Sequence, residues 1–277
     1  MQSLSQLEAS AIHQPNSIEI NQALAEAYVK QGRWEEATKA YQTLAMLYPA
    51  TAVLFINRIR LGASALIVSS TLFFIAELIH PSMAPQAHPT EFAHVISSPD
   101  FLKAQILLLL AFALTSCSAI SIYKLLSYTA DHRPAFWAMV LNVIGVGLSM
   151  PLLGINTFVL PLIGKLYLEG ESSVMSLYGA MQQNPWSFLL HVGSSLLIAG
   201  MMISSWVIWR NGNLSRNAIL IYLAGWISLV LSNNQLPKSG LLFIGILFAI
   251  GGVGFGRSLW IQASAQFDLN MDRSARS

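Results

Sequence analysis

Directly after Arg58 and Arg60, residues 61–79 form an apolar run interrupted by one charge, and five more runs of that kind follow along the chain. Lipid offers no partner to backbone N–H and C=O groups. A segment that crosses the hydrocarbon core must therefore be a helix of about 20 mostly apolar residues, with its hydrogen bonds made internally. Hydropathy places the spans at residues 61–79, 104–125, 136–158, 187–209, 218–231 and 241–261, the fifth being the shortest. The expected fold is all-α: a polytopic bundle of six transmembrane helices behind a short N-terminal helical hairpin. The divisions expected are 1–52 for the hairpin, 53–264 for the membrane domain and 265–277 for a polar tail.

Composition agrees. Hydrophobic residues make up 54% of the chain and charged ones 10%, where a soluble domain carries roughly 25% charged residues. The net charge of +2 is small and the basic residues are dispersed, so nothing here favours a nucleic-acid partner. Cys117 is the single cysteine; it excludes an intrachain disulfide and a cysteine-based metal site, and reads as a small buried hydrophobe. The first 50 residues hold no basic segment followed by an apolar core of signal-peptide type, so the first span is expected to act as its own insertion signal.

The basic residues also give an orientation. With the N-terminus cytoplasmic, twelve of the fifteen lysines and arginines fall on the inner side, and only Lys103, Lys165 and Lys238 fall outside. The positive-inside rule then predicts cytoplasmic N- and C-termini, in a cytoplasmic membrane. The segments 80–103, 160–186 and 232–240 become outer connections, with Trp137, Trp209 and Trp260 at the inner interface and Trp186 at the outer one.

Before the spans, Leu24, Ala25, Tyr28, Gly32, Ala37, Tyr41 and Pro49 stand at the positions of a 34-residue repeat, and Pro15 lies one period before Pro49. The segment AEAYVKQGRWEEATKAYQTLAMLYP resembles a tetratricopeptide repeat, with residues 4–14 as the tail of a preceding one. Asn21 departs from the usual Trp and Leu44 from the usual Ala. The resemblance implies two antiparallel helices that approach at Ala25 and Ala37, and a protein-docking role. About one and a half repeats cannot bury their own apolar face. The missing packing must come from the membrane domain, a second copy of the chain, or a cytosolic partner.

Across residues 58–261 the order runs Arg60-Leu61-Gly62, Ala76-Glu77, Ile96-Ser-Ser-Pro-Asp-Phe101, Tyr123-Lys-Leu-Leu126, His191, then Arg210-Asn-Gly-Asn-Leu-Ser-Arg216. This is similar to a bacterial six-helix integral membrane family of uncharacterised function, and it implies an architecture without an activity.

The polar residues near the ends of the spans are the remaining clue. Glu77, His80, Gln105, Asn156, His191 and the run Asn233-Asn234-Gln235 all fall at the outer end. Convergence would make a polar pocket for a proton, a cation or a small polar ligand, with Glu77 paired to His191. The bland alternatives are solvation of Glu77 and His80 at the interface and a helix-joining hydrogen bond for His191. Glu77 and His80 also form a Glu-x-x-His pair, but di-iron bundles use two such pairs. Glu77, His80 and His191 are thus a weak metal ligand set, which His88 and His94 in a Pro-rich loop do little to strengthen. No motif calls for a cofactor. Gly252 and Gly256 point to close helix contact, and Pro151 among Gly145, Gly147 and Gly154 to a kink. The leading expectation is a non-enzymatic adaptor, sensor or assembly protein. A small-solute or ion transporter comes second and a metal-dependent enzyme third.

Overall fold

The computed structural model describes residues 3–47, 49–81, 88–127, 131–183, 186–211, 214–232 and 238–276. Three short helices, α1 (Leu4–His13), α2 (Ile18–Lys30) and α3 (Trp34–Leu47), form the head, and α4 (Pro49–Ile79) leads away from it. Then come α5 (Pro89–Ile96), α6 (Pro99–Leu126), α7 (His132–Gly154), a π-helical turn (Ile155–Val159), α8 (Leu160–Leu168), α9 (Val174–Gln183), α10 (Trp186–Asn211), α11 (Arg216–Ser232) and α12 (Lys238–Arg276).

Five helical stretches are long and apolar enough to cross a membrane: Asn57–Ile79, Pro99–Leu126, His132–Leu168, His191–Arg210 and Lys238–Ser264. A sixth, Arg216–Leu229, is apolar but shorter. The helices close a ring in which α4 packs on α6, α6 on α7, α7 on α10, α10 on α11, α11 on α12, and α12 back on α4.

Glycines set the spacing around this ring. A Cβ on Gly252 of α12 would fall on the Ser70 hydroxyl of α4, and one on Gly256 would come 2.9 Å from the Ala63 carbonyl oxygen. The Gly252 and Gly256 expectation is met: only a bare backbone fits this seam. Similar approaches join α7 to α10 at Gly145 and Gly193, and α11 to α12 where Gly251 meets the Tyr222 backbone. The same pairings show neighbours running antiparallel, since Gly245 sits against Glu77 while Gly256 sits against Ala63. Inside, Phe73, Phe112, Tyr222, Trp226 and Phe248 pack ring on ring, and the Tyr222 hydroxyl hydrogen-bonds with Ser70 and Thr115.

The structure departs from the sequence reading in several places. Two stretches of the expected connection 160–186 are helical, α8 (Leu160–Leu168) and α9 (Val174–Gln183). The Pro151 break takes the form of a π turn, in which the Leu160 N–H donates to the Ile155 carbonyl; widening the helix there lets it run on past Pro151 and Pro161. The Pro-rich segment holds a helix, α5, because Pro89 sits in its first turn, where a missing N–H costs nothing. Cys117 is exposed on the outside of α6: its turn packs inward through Thr115 and Ser118 instead. The divisions drawn at residues 52 and 264 both fall inside continuous helices, α4 and α12.

Candidate functional site

In the head, Ser17 and Ser3 cap α2 and α1 with their hydroxyls. Asn21, the departure from the repeat pattern, is buried and donates from Nδ2 to the Pro15 and Ser17 carbonyls, each at 2.8 Å. It fastens the turn between α1 and α2. Gly32, at φ 73, makes the left-handed turn into α3. Leu24, Ala25, Tyr28 and Ala37 are buried together with Leu7 of α1, and Tyr41 and Leu44 pack beside them. On the rim, the Tyr28 hydroxyl donates to Glu8 at 2.9 Å, and Arg33 reaches both Glu8 at 3.1 Å and Glu36 at 2.9 Å. Burial pushes the Tyr28 phenol up, and the Glu8 carboxylate adds to this. The Glu36 carboxyl is held below its ordinary range by its own backbone and by the Arg33 guanidinium. No residue of this small core belongs to the core of the bundle.

At the end of α4 remote from the head, Glu77 is turned into the bundle with only 7% of its surface exposed. Its carboxylate has no hydrogen-bond or ion-pair partner among the described residues. One turn further on, His80 stands edge-on to Phe101, with centroids 5.4 Å apart. Its Nδ1 lies 2.9 Å from the Pro81 carbonyl oxygen and its Nε2 lies 3.4 Å from Nε2 of Gln105. A carbonyl can only accept and an amide N–H can only donate. With the amide so placed, His80 is therefore neutral, with its proton on Nδ1. Burial, helped by the charge of Lys238, pushes this imidazole below its ordinary 6.5. Gln105 is 7% exposed, and its Oε1 is buried without a partner.

The structure thus brings Glu77, His80 and Gln105 together at one end. Asn156 is half-buried in the π turn, which packs against α6. His191 is exposed on α10 and does not join them. The expected pairing of Glu77 with His191 is not formed, because the face of α10 that carries His191 is not the face in contact with its neighbours. Asn233, Asn234 and Gln235 lie outside the described residues, as does the side chain of Trp186. Among the described residues no three His, Cys, Asp or Glu side chains gather to hold a metal, so Glu77, His80 and His191 are not a ligand set. The sequence reading missed Phe73 and Phe112, which lie directly beneath the polar groups. The spacing of Phe73, Glu77 and His80, at i, i+4 and i+7, was the available signal.

At the opposite end, arginines stack on exposed tryptophans: Arg60 over Trp260, Arg210 over Trp206 and Arg216 over Trp209. Arg210 also pairs with Asp131 at 3.3 Å, tying α10 to the start of α7. Comparison with family models, characterised proteins and solved structures returned no match to this chain.

Proposed function

We propose that this chain is a membrane-anchored docking protein, in which a six-helix bundle holds a tetratricopeptide-type head at the cytoplasmic face. The observation that carries this is the separateness of the head. It closes Leu7, Leu24, Ala25, Tyr28, Ala37 and Ala40 into a core of its own, while its contacts with the bundle run mainly through α3. A cap for the bundle would share the bundle's core, whereas a docking module keeps its surface for a partner. The sixth crossing is α11. Its 17 residues span about 25 Å at 1.5 Å per residue, a little under the roughly 30 Å core, and it packs along α12 from Gly254 to Gly225 as a full member of the ring. The Arg–Trp pairs at the head end match a cytoplasmic interface.

The test is affinity purification from detergent extracts of the whole protein and of a form lacking residues 1–47. The docking reading expects proteins that co-purify with the first and not with the second. An unchanged set, with both forms inserted in the membrane, sinks it.

A second reading, a small-solute or ion carrier, draws on a different observation: the unpartnered carboxylate of Glu77 beneath the His80–Gln105 contact. Ionisable groups at membrane depth are costly and commonly mark a binding or transport path.

A further inference from the structure

Phe73, Glu77 and His80 share one face of α4, and Phe112 and Gln105, seven residues apart, share the facing side of the antiparallel α6. Two contacts fix the levels. Phe73 meets Phe112 with ring centroids 6.0 Å apart, and His80 meets Gln105 at 3.4 Å. At about 1.5 Å of rise per residue, Glu77 lies about 6 Å beyond the Phe73 level and about 4.5 Å short of the His80 level. It is enclosed between an aromatic floor, to which Trp226 and Phe248 also belong, and a roof made by the imidazole and the amide. The third wall is α12, where a Cβ added to Gly245 would lie 3.4 Å from the Glu77 Cβ.

The polar groups here have one sign. Glu77 offers an unpartnered carboxylate and Gln105 an unpartnered buried amide oxygen, while neutral His80, whose Nε2 already accepts from the Gln105 amide, holds that amide with its oxygen free. Lys238, whose charge acts on His80, makes no ion pair with Glu77. A set of acceptors around one buried negative charge fits a ligand that is positive and donates hydrogen bonds. Calcium needs six to eight oxygen ligands, and the described acidic and imidazole groups form no cluster of three. The aromatic floor favours a cation that is weakly hydrated and can lie against a ring face.

We infer that Glu77, Gln105 and His80 bind a small ammonium-type cation, ammonium itself or a short primary amine. The carboxylate supplies the counter-charge, the Gln105 oxygen takes an N–H, and the rings receive the apolar side of the ligand. This rests on the polar cluster being a ligand site, as in the carrier reading, and is independent of the docking role of the head.

The experiment uses the full chain purified in detergent and titrated with methylammonium chloride, against sodium chloride at equal ionic strength. The readouts are the intrinsic fluorescence, to which Trp226 in the floor contributes, and the melting temperature. A saturable methylammonium response that sodium does not give is expected. Glu77→Gln should weaken it by about tenfold or more, through loss of the charge-assisted contact. Gln105→Leu should weaken it about fivefold, through loss of one hydrogen bond, and keeps the test alive if the first variant fails to fold. Equal responses to sodium and methylammonium, no saturable response, or a Glu77→Gln titration matching the parent would each overturn the proposal. A carboxyl that only holds a proton gives the second of these results. Uptake of radiolabelled methylammonium into proteoliposomes separates the two ideas: binding without uptake keeps the site and removes the carrier reading.

Discussion

Individual side chains here are read best by what they lack. Glycine 252 has no Cβ because the Ser70 hydroxyl occupies that place. Gly252→Ala should therefore push α4 and α12 apart and lower stability by about 1–3 kcal/mol through overpacking. Adding Ser70→Gly should restore part of the loss, and thermal melts of the two variants check it; a melt of Gly252→Ala equal to the parent would show that the seam is looser than drawn. His80 gives a prediction in pH. Its folded value is depressed below 6.5 by burial, so its contribution to stability is present above 6.5 and is lost as the pH falls through the folded value. The melting temperature should thus drop on acidification from pH 7 toward pH 5, and His80→Phe should flatten that part of the curve. In the head, Ala37 is buried against α2, and Ala37→Trp should cost about 1–3 kcal/mol there while leaving membrane insertion intact, as read by fractionation and by protease sensitivity of the first 47 residues.

The helices were legible in the sequence to different depths. The long apolar runs could be placed within about five residues, apart from the end of the third, which runs on to Leu168 where the expected span stopped at residue 158, because about 20 uninterrupted apolar residues have few other uses. Chain direction around the ring followed from their alternation. The helices α5, α8 and α9 were not legible, because the segments 80–103 and 160–186 read as connections, whereas Pro89 and Pro161 each sit in the first turn of a helix. Their packing is specific: a Cβ on Gly164 of α8 would come 2.7 Å from Ile96 and 2.8 Å from the Ala93 carbonyl oxygen of α5, and Phe92 stacks with Tyr178 of α9 at 5.2 Å. Gly164→Leu should accordingly release α5, seen as faster amide exchange over residues 89–97 with the remaining helices unchanged. Protection equal to the parent would contradict this packing. The polar site was half legible. Glu77 and His80 share a face by their spacing, and Gln105 enters α6 at a matching level. The inward face of α10 was not, because that helix is apolar all round and gives no period to orient His191.

For the molecule as a whole, the account joins two units with separate cores through one continuous helix, α4. The bundle carries the polar cluster at its far end, and in the proposed docking role the head would supply the surface. That division explains how a head of three short helices holds together: α1 packs on α2 and α2 on α3, and α3 itself meets α4 and α12. Reporter fusions after Ser98 and after Ser277 should report opposite sides of the membrane if six helices cross with both termini cytoplasmic; agreement between them would remove the sixth crossing. The docking claim itself is tested most directly in living cells, with a photo-crosslinking residue in place of Ile12, which is 79% exposed on α1 of the head. The account predicts a discrete cross-linked band between this chain and a cytosolic protein, lost when Ala37→Trp is added. Cross-links confined to the chain itself or to lipid, with the same pattern in the Ala37→Trp form, would contradict it.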